Sequence, residues 1–591
     1  MIRKIAFVGS IAAFAAILSA DQDYTAFTKG LTGDQKILQA LNRLTFGPRP
    51  GDVEAVKKIG LTNWIDLQLH PERIAENPTV ETQAGSYAEP VPAKFLTPAQ
   101  QRLLRTGPVD QAVAFLSSLP PDKAAQVLET MPAVRTRLAS KLPPSFVAKV
   151  RSSASGGNEM ELRRLISPQQ IAMLRTGSDE DAAAFLASLP QDSAVQVLAQ
   201  MPAVRKRLLP MLDADLSAKV EAAAPGRPKP GDALAEAKLL RAVESNRQLE
   251  EVLVDFWFNH FNIDASKGAD KFLISEYERD AIRPHVLGKF RDLLEATATS
   301  PAMMFYLDNW QSKAGALNEN YGRELMELHT LGVDGGYTQK DVTEVARCFT
   351  GWTINQPRQG GPFVYRDQVH DHDQKIVLGV TIPAGGGKAD GEKVLDILAH
   401  SPATARFISR ELAQRFVADD PPPALLDRMA KTFHDTDGDI RAVLGTMFNS
   451  PEFFSEGAYR SKIKSPFEMA VSALRATGAT LNKPLPLVNQ IAAMGEPLYR
   501  KQEPTGYPNA SQDWMSSSGL MGRMNLAMDL TADRLPGVSV DSSHFAANPT
   551  ESAHALLLAD ASKGTLDAIG AQADPQTVAG MLLGSPDFQR K

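Results

Sequence analysis

The chain is 591 residues long, 43% hydrophobic and 22% charged, with 63 basic and 69 acidic residues and a net charge of −6. That length exceeds one ordinary domain of roughly 100–200 residues, and the composition can build a globular core of normal size. The near-balanced charge leaves no electrostatic footprint for nucleic acid, and no polybasic run is present to hold the chain to anionic lipid.

Arg3 and Lys4 precede an uncharged, mostly apolar run from Ile5 to Leu18, and Ser19 and Ala20 supply small residues before Asp21. This is the order of a secretory signal peptide, residues 1–20, cleaved after Ala20. The run is shorter than the about 20 apolar residues that a bilayer requires. No cysteine follows it for lipid attachment, and no later segment is long and apolar enough to span. The mature chain is expected to be exported, to the periplasm or beyond, without a membrane span. Cys348 is the single cysteine, so no intrachain disulfide exists; it follows Val345 and Ala346 on a helical pattern and reads as a core residue.

Leu96 to Val150 matches Ile166 to Val220 at a constant offset of 70 residues. LLRTG from Leu103 recurs as MLRTG from Met173, and AFLSSLP from Ala114 recurs as AFLASLP from Ala184. QVLETMPAVRTRL from Gln126 recurs as QVLAQMPAVRKRL from Gln196. Such a match means duplication. Pro120, Pro132 and Pro143 mark helix starts, because proline is tolerated in a first turn and breaks an interior. SSASGGN (152–158) and APGRPKPGD (224–232) read as linkers. The expected division is therefore 21–95 as the N-terminal part of the main domain, 96–221 as an inserted helical tandem repeat, 222–232 as a linker, and 233–591 as the main body.

From Ala233 onward the pattern is helical, with periodic segments near 235–262, 268–296, 320–331, 339–349, 391–416, 424–435, 438–448 and 465–476. The stretch 362–381 has strand character, in Phe363, Val364, Tyr365 and again in Ile376, Val377, Leu378, enough for one small hairpin. The expected fold is all-α with that hairpin, the opening and central segments forming one body and the duplicated insert projecting as a helical arm.

The phrases LNRLTFGPRPGDVEAV (41–56), DFWFNHFNI (255–263), NENYGRELMELHTLGVDGGYTQKDVTEVARCFTGW (318–352), HDHDQKIVLG (370–379), KSPFEM (464–469) and GYP (506–508) together resemble the bacterial family called domain of unknown function 1800. DGEKVLDILAHSPATARFI (390–408) and DGDIRAVL (437–444) extend the resemblance over most of the chain outside the signal and the insert. The family carries no assigned chemistry. Its members often sit beside a second uncharacterised exported family in bacterial genomes, which implies a co-encoded exported partner.

Several residues on these phrases are candidates for a site. Leu249, Val252, Leu253, Phe256 and His260 share one helix face, which puts His260 on the apolar stripe with Asn259 beside it. In the next helical phrase Tyr321, Leu325, Leu328 and Gly332 form the stripe; Glu324 flanks it on one side and His329 on the other, about 140° apart. Arg323 and Glu327 stand at the spacing of an ordinary surface ion pair. His370 and Asp371 suit a borderline divalent metal if the segment is extended. The family pattern HDxGxKxxLG matches at His370, Asp371, Lys375, Leu378 and Gly379, while His372 falls on its variable position and Asp373 replaces its glycine, which weakens a His-x-His metal pair. GGGKADGE (385–392) lacks the spacing of a phosphate loop, and DTDGDI (435–440) has its glycine in the wrong place for a calcium loop, so helix capping by Asp437 accounts for it better.

Two function classes remain. One is a non-catalytic binding or assembly protein working with another exported protein. The other is an exported enzyme, a metal-assisted hydrolase, with His260, Glu324 and His329 as base, ligands or proton carriers, Asn259, Arg323 and Lys375 as binding groups, and His370 and Asp371 as metal ligands. N-terminal sequencing of the native protein is expected to begin at Asp21. Recovery of an intact Met1 would overturn the export reading.

Overall fold

The structure, a computed structural model, describes residues 23–84, parts of 100–217, and 231–591 apart from 358–360, 560, 571 and 573. The signal segment, the linker 152–158 and residues 222–230 of the second linker lie outside the described residues. The chain forms two compact units, one from Met1–Ala88 with Pro230–Lys591 and one from Glu89–Lys229. The described residues are mainly helical and carry three two-stranded antiparallel sheets.

In the larger unit, helix Gln248–His260 is buried on nearly every side, and polar residues on it are matched by partners, Glu251 by Arg283 and Asp255 by Lys238. The long periodic segments of the sequence break where the backbone demands it. The segment 235–262 becomes Asp232–Glu244 and Gln248–His260. The segment 391–416 becomes Ala389–Ala399 and Pro402–Phe416, because Pro402 cannot sit inside a helix and Ser401 accepts from the Ala403 amide to cap a new one. The cap in the 435–440 stretch is Asp439, which accepts from the Ala442 amide at 3.0 Å. Asp437, expected to cap, adopts φ +55° and bonds His400 instead (2.8 Å).

Both stretches of the predicted hairpin are strands, but they do not pair with each other. β1 (Trp352–Ile354) pairs with β2 (Phe363–Tyr365), and β3 (Lys375–Val377) pairs with β4 (Val380–Ile382). Leu378 and Gly379, with φ of +50° and +79°, close the second hairpin as a two-residue turn whose twist suits paired strands. β5 (Thr480–Leu481) pairs with β6 (Val538–Ser539). Helices Ser517–Thr531, Pro549–Leu556 and Pro575–Gly584 close the C-terminal region, and the chain end runs back along the KSPFEM phrase: the Lys464 amide donates to the Gln589 carbonyl (2.9 Å) and the Lys591 amide to that of Lys462 (2.9 Å).

In the smaller unit the buried positions recur at the offset of the sequence repeat. Leu104, Ala112, Leu116, Val127 and Leu138 lie in one apolar cluster, and Leu174, Ala182, Leu186, Val197 and Leu208 in another. Pro190 and Pro202 stand at the starts of helices Gln191–Gln200 and Pro202–Leu208. Excision of 96–221 is expected to leave the larger unit with a cooperative thermal transition. Loss of that transition would mean that the two units share one folding core.

Candidate functional site

The candidate residues fall into separate groups. His260 and His329 meet, with ring centroids 6.3 Å apart, and the His260 Nε2–H donates to the His329 carbonyl at 3.1 Å. Phe256 stacks on His260, and Trp257, Phe261 and Phe407 surround it. Burial in this apolar nest pushes the imidazoles down, His260 to about 4 and His329 to about 3, so both are neutral near pH 7. Their geometry fastens the DFWFNHFNI helix to the end of the NYGRELMELH helix. Glu324 stands outside this bond; it is half-buried, and burial and Glu327 raise its carboxyl while Arg323 partly offsets them. Arg323 pairs with Glu319 (3.6 Å) rather than with Glu327, and donates to Gln339 (2.8 Å) at the surface.

The HD segment forms a second, self-contained network. His370 Nδ1 bonds Thr350, with 2.7 Å to the carbonyl and 3.1 Å to the hydroxyl, and Nε2 bonds Asp390 (3.1 Å). The fully buried Lys375 donates to Asp390 (2.7 Å) and to the Asp371 carbonyl. Both Asp371 oxygens are taken by Arg347, at 2.8 and 3.0 Å, which holds that carboxyl below the usual range. The donor atoms that a metal would need on His370 and Asp371 are thus already engaged by protein groups. Among the described residues, no group of three or more His, Cys, Asp or Glu side chains is arranged to hold a metal ion. Helix Gln339–Cys348 completes the clamp, its Glu344 and Asp341 accepting from the amides of Ile376 and Leu378 (2.8 Å each).

Asn259 leads elsewhere. Its Nδ2 donates to the Tyr507 carbonyl (2.7 Å) and its Oδ1 accepts from the Tyr507 amide (2.6 Å). Gly506, at φ +67°, allows the approach: a methyl group there would lie 2.3 Å from the Asn259 carbonyl oxygen. This pair of hydrogen bonds pins the GYP loop over a cavity of about 50 Å3. Three of the family phrases line that cavity, through Asp255 and Asn259, through Ser465 and Glu468, and through Tyr507 and Pro508.

The cavity wall is a chain of ion pairs of alternating sign. Lys238 meets Asp255 (2.5 Å), Asp255 meets Arg415 (3.3 Å), Arg415 meets Glu468 (2.5 Å), and Glu468 meets Lys591. Glu468 serves twice. One oxygen accepts from the Ser465 amide (3.0 Å) in a capping box that starts helix Pro466–Thr477, and the other joins the ion chain. Burial alone would raise its carboxyl, but Arg415 and Lys591 more than offset this and hold it ionised. Lys462, also on the lining, pairs with Asp419. Tyr499 donates to Glu278, which the π-helix Tyr277–Ile282 carries.

Glu496 differs from these. It is buried, accepts from the Phe467 amide (2.8 Å), and takes part in no ion pair among the described residues. Burial, with Asp255 and Glu468 adding to it, pushes its carboxyl up to about 7. Sequence reading missed Glu496, Arg415 and Lys238, which no local pattern marks. Glu468 did carry a signal, the Ser-x-x-Glu of a capping box before an apolar run.

A mainly helical body with a small cavity walled largely by paired charges defines the class of protein. Residues 39–590 match the family described as "Protein of unknown function (DUF1800)", and the chain belongs to that family. No curated protein and no solved structure matches the chain.

The titration of Glu496 has a readable consequence for stability. Its folded value, about 7, lies above the unfolded 4.5, so its contribution is fully present below pH 4.5 and is lost as pH rises through 7. The loss is on the order of 3 kcal/mol. Glu496→Gln lacks this titration. The thermal midpoint of the wild type is expected to fall relative to that variant between pH about 5 and about 8; parallel profiles would show that Glu496 titrates normally.

Proposed function

We propose that the protein is an exported binding protein that holds a small polar group in the cavity beside Asp255, Arg415, Glu496 and Tyr507, and that it works with another exported protein. The observation that carries this reading is the meeting of three family phrases at one cavity, whose lining includes half-buried Tyr507, Asn509 and Trp514. At about 50 Å3 the cavity is far below the roughly 300–1,000 Å3 of a site for a whole drug-sized ligand, so it takes one end of a molecule. The export half of the reading rests on residues 1–20, and the partner on the genomic company that the family keeps.

An enzyme is the second reading, and one observation favours it. Glu496 sits near neutrality in the same cavity as the firmly ionised Glu468, and carboxyls pushed apart in this way suit a proton donor and an anionic stabiliser. That support belongs to this cavity rather than to the His260, Glu324 and His370 segments.

Thermal unfolding with ammonium, butylamine, acetate, phosphate or glucose, each added separately, tests the binding reading. A ligand at a hundred times its Kd stabilises by about 2.7 kcal/mol. At least one probe is expected to raise the midpoint of the wild type and to lose that effect in Tyr507→Ala. If none does, the cavity is not a binding site. Release of the bound probe in altered form would move the reading to the enzyme.

A further inference from the structure

We infer that the cavity binds a primary ammonium group, seated against the Glu496 carboxylate in a lining that includes Tyr507 and Trp514. This rests on the binding reading of the same cavity and names its ligand class. The pairing of charges carries it. Every cation on the lining already has a carboxylate: Lys238 has Asp255, Arg415 has Asp255 and Glu468, Lys591 has Glu468, and Lys462 has Asp419. An anionic ligand would have to compete with those pairs. Among the lining carboxyls, Asp255 and Glu468 are each shared by two cations, and Glu496 has none among the described residues. A buried charge is costly until it is paired, and Asp255 and Glu468 already hold Lys238, Arg415 and Lys591, so an ionised Glu496 is the lining charge that a ligand cation would pair.

Size and surroundings agree. A cavity of about 50 Å3 admits an ammonium and the methylene behind it, and its opening lets the rest of the ligand remain outside. The aromatic lining is suited to positive charge, since ring faces attract ammonium groups within about 6 Å. Lys238 Nζ already lies 5.0 Å from the Tyr499 ring centre, and Lys501 Nζ 5.5 Å from that of Tyr507. Tyr507 and Trp514 stand 5.9 Å apart, inclined at 45°.

The groups acting on Glu496 come from every element around it. Asp255 belongs to helix Gln248–His260, Arg415 to Pro402–Phe416, and Glu468 to Pro466–Thr477, with Ser465 at that helix's cap. Arg523 belongs to Ser517–Thr531, and Tyr507 to the GYP loop. Burial, with Asp255 and Glu468 adding to it, raises Glu496, so the free protein carries a proton there up to a pH of about 7. Binding expels that proton: the ammonium keeps its three hydrogens, the Glu496 O–H bond breaks, and the proton leaves to buffer. Affinity should therefore rise about tenfold per pH unit below that value and level off above it, until the amine itself titrates near pH 10.

Titration calorimetry of the full chain with butylamine, in two buffers of different ionisation enthalpy, is the test. The expected result is saturable binding with about one proton released at pH 6 and almost none at pH 9, weakened roughly 10- to 100-fold in Glu496→Gln. That variant keeps the side chain's shape, and a matching thermal midpoint at pH 5 shows that it is folded. Tyr507→Leu keeps an apolar wall and should weaken binding by a smaller factor, roughly 3- to 30-fold. Nα-acetyl-lysine amide and glycine amide, one with a side-chain ammonium and the other with a chain-end ammonium, separate the two sources of the group. Binding of acetate or glucose but of no amine overturns the inference and leaves the binding reading standing. Equal affinity of butylamine for wild type and Glu496→Gln also overturns it. If none of the five thermal probes binds, the binding reading fails, and this inference with it.

Discussion

The buried ion chain from Lys238 through Asp255, Arg415 and Glu468 to Lys591 is the constraint around which the larger unit is arranged. Each member is cheap to bury only because the next is there; removing one partner from such a pair costs about 3–5 kcal/mol, since a charge is left uncompensated. The five residues lie on five separate stretches of sequence. Their mutual pairing therefore obliges helices Asp232–Glu244, Gln248–His260, Pro402–Phe416 and Pro466–Thr477, together with the chain end, to meet at one place. The short ladder that binds Gln589 and Lys591 to residues 462–464 delivers the last cation.

Two other fastenings position the cavity without lining it. The His260–His329 contact joins two helical phrases through one neutral hydrogen bond inside an aromatic nest. The clamp of His370, Lys375, Asp390, Asp371 and Arg347 anchors the two small hairpins against helices Gln339–Cys348 and Ala389–Ala399. Each of these polar groups has a partner among its neighbours, apart from His329 Nε2, which is buried without one. The clamp of His370, Lys375, Asp390, Asp371 and Arg347, saturated in this way, fixes register and leaves no donor or acceptor over for a ligand. Glu496 is the contrast, a buried carboxyl on a cavity wall that accepts from the Phe467 amide at 2.8 Å and forms no ion pair among the described residues.

The sequence by itself determined the helical character, the family and the inward turn of His260. Periodicity of 3.6 and the Pro and Ser-Pro punctuation are local signals, and local backbone rules obey them. His260 was legible on the apolar stripe and His329 at the edge of another for that reason; that the two meet, and that Glu324, His370 and Asp371 do not join them, was decided by packing. Tertiary structure alone decided what those groups do. No rule of spacing tells His370 that its partner is Asp390, or that Phe363–Tyr365 pairs backward to Trp352–Ile354 rather than forward to Lys375–Val377. Both depend on contacts between segments whose separation no local period encodes. The charges of the cavity show the limit most clearly: Lys238, Arg415 and Glu496 sit on ordinary helical or loop sequence, each indistinguishable from a solvated surface residue. They become a site only because packing removes water from them together, and desolvation is a property of the folded neighbourhood and not of the chain.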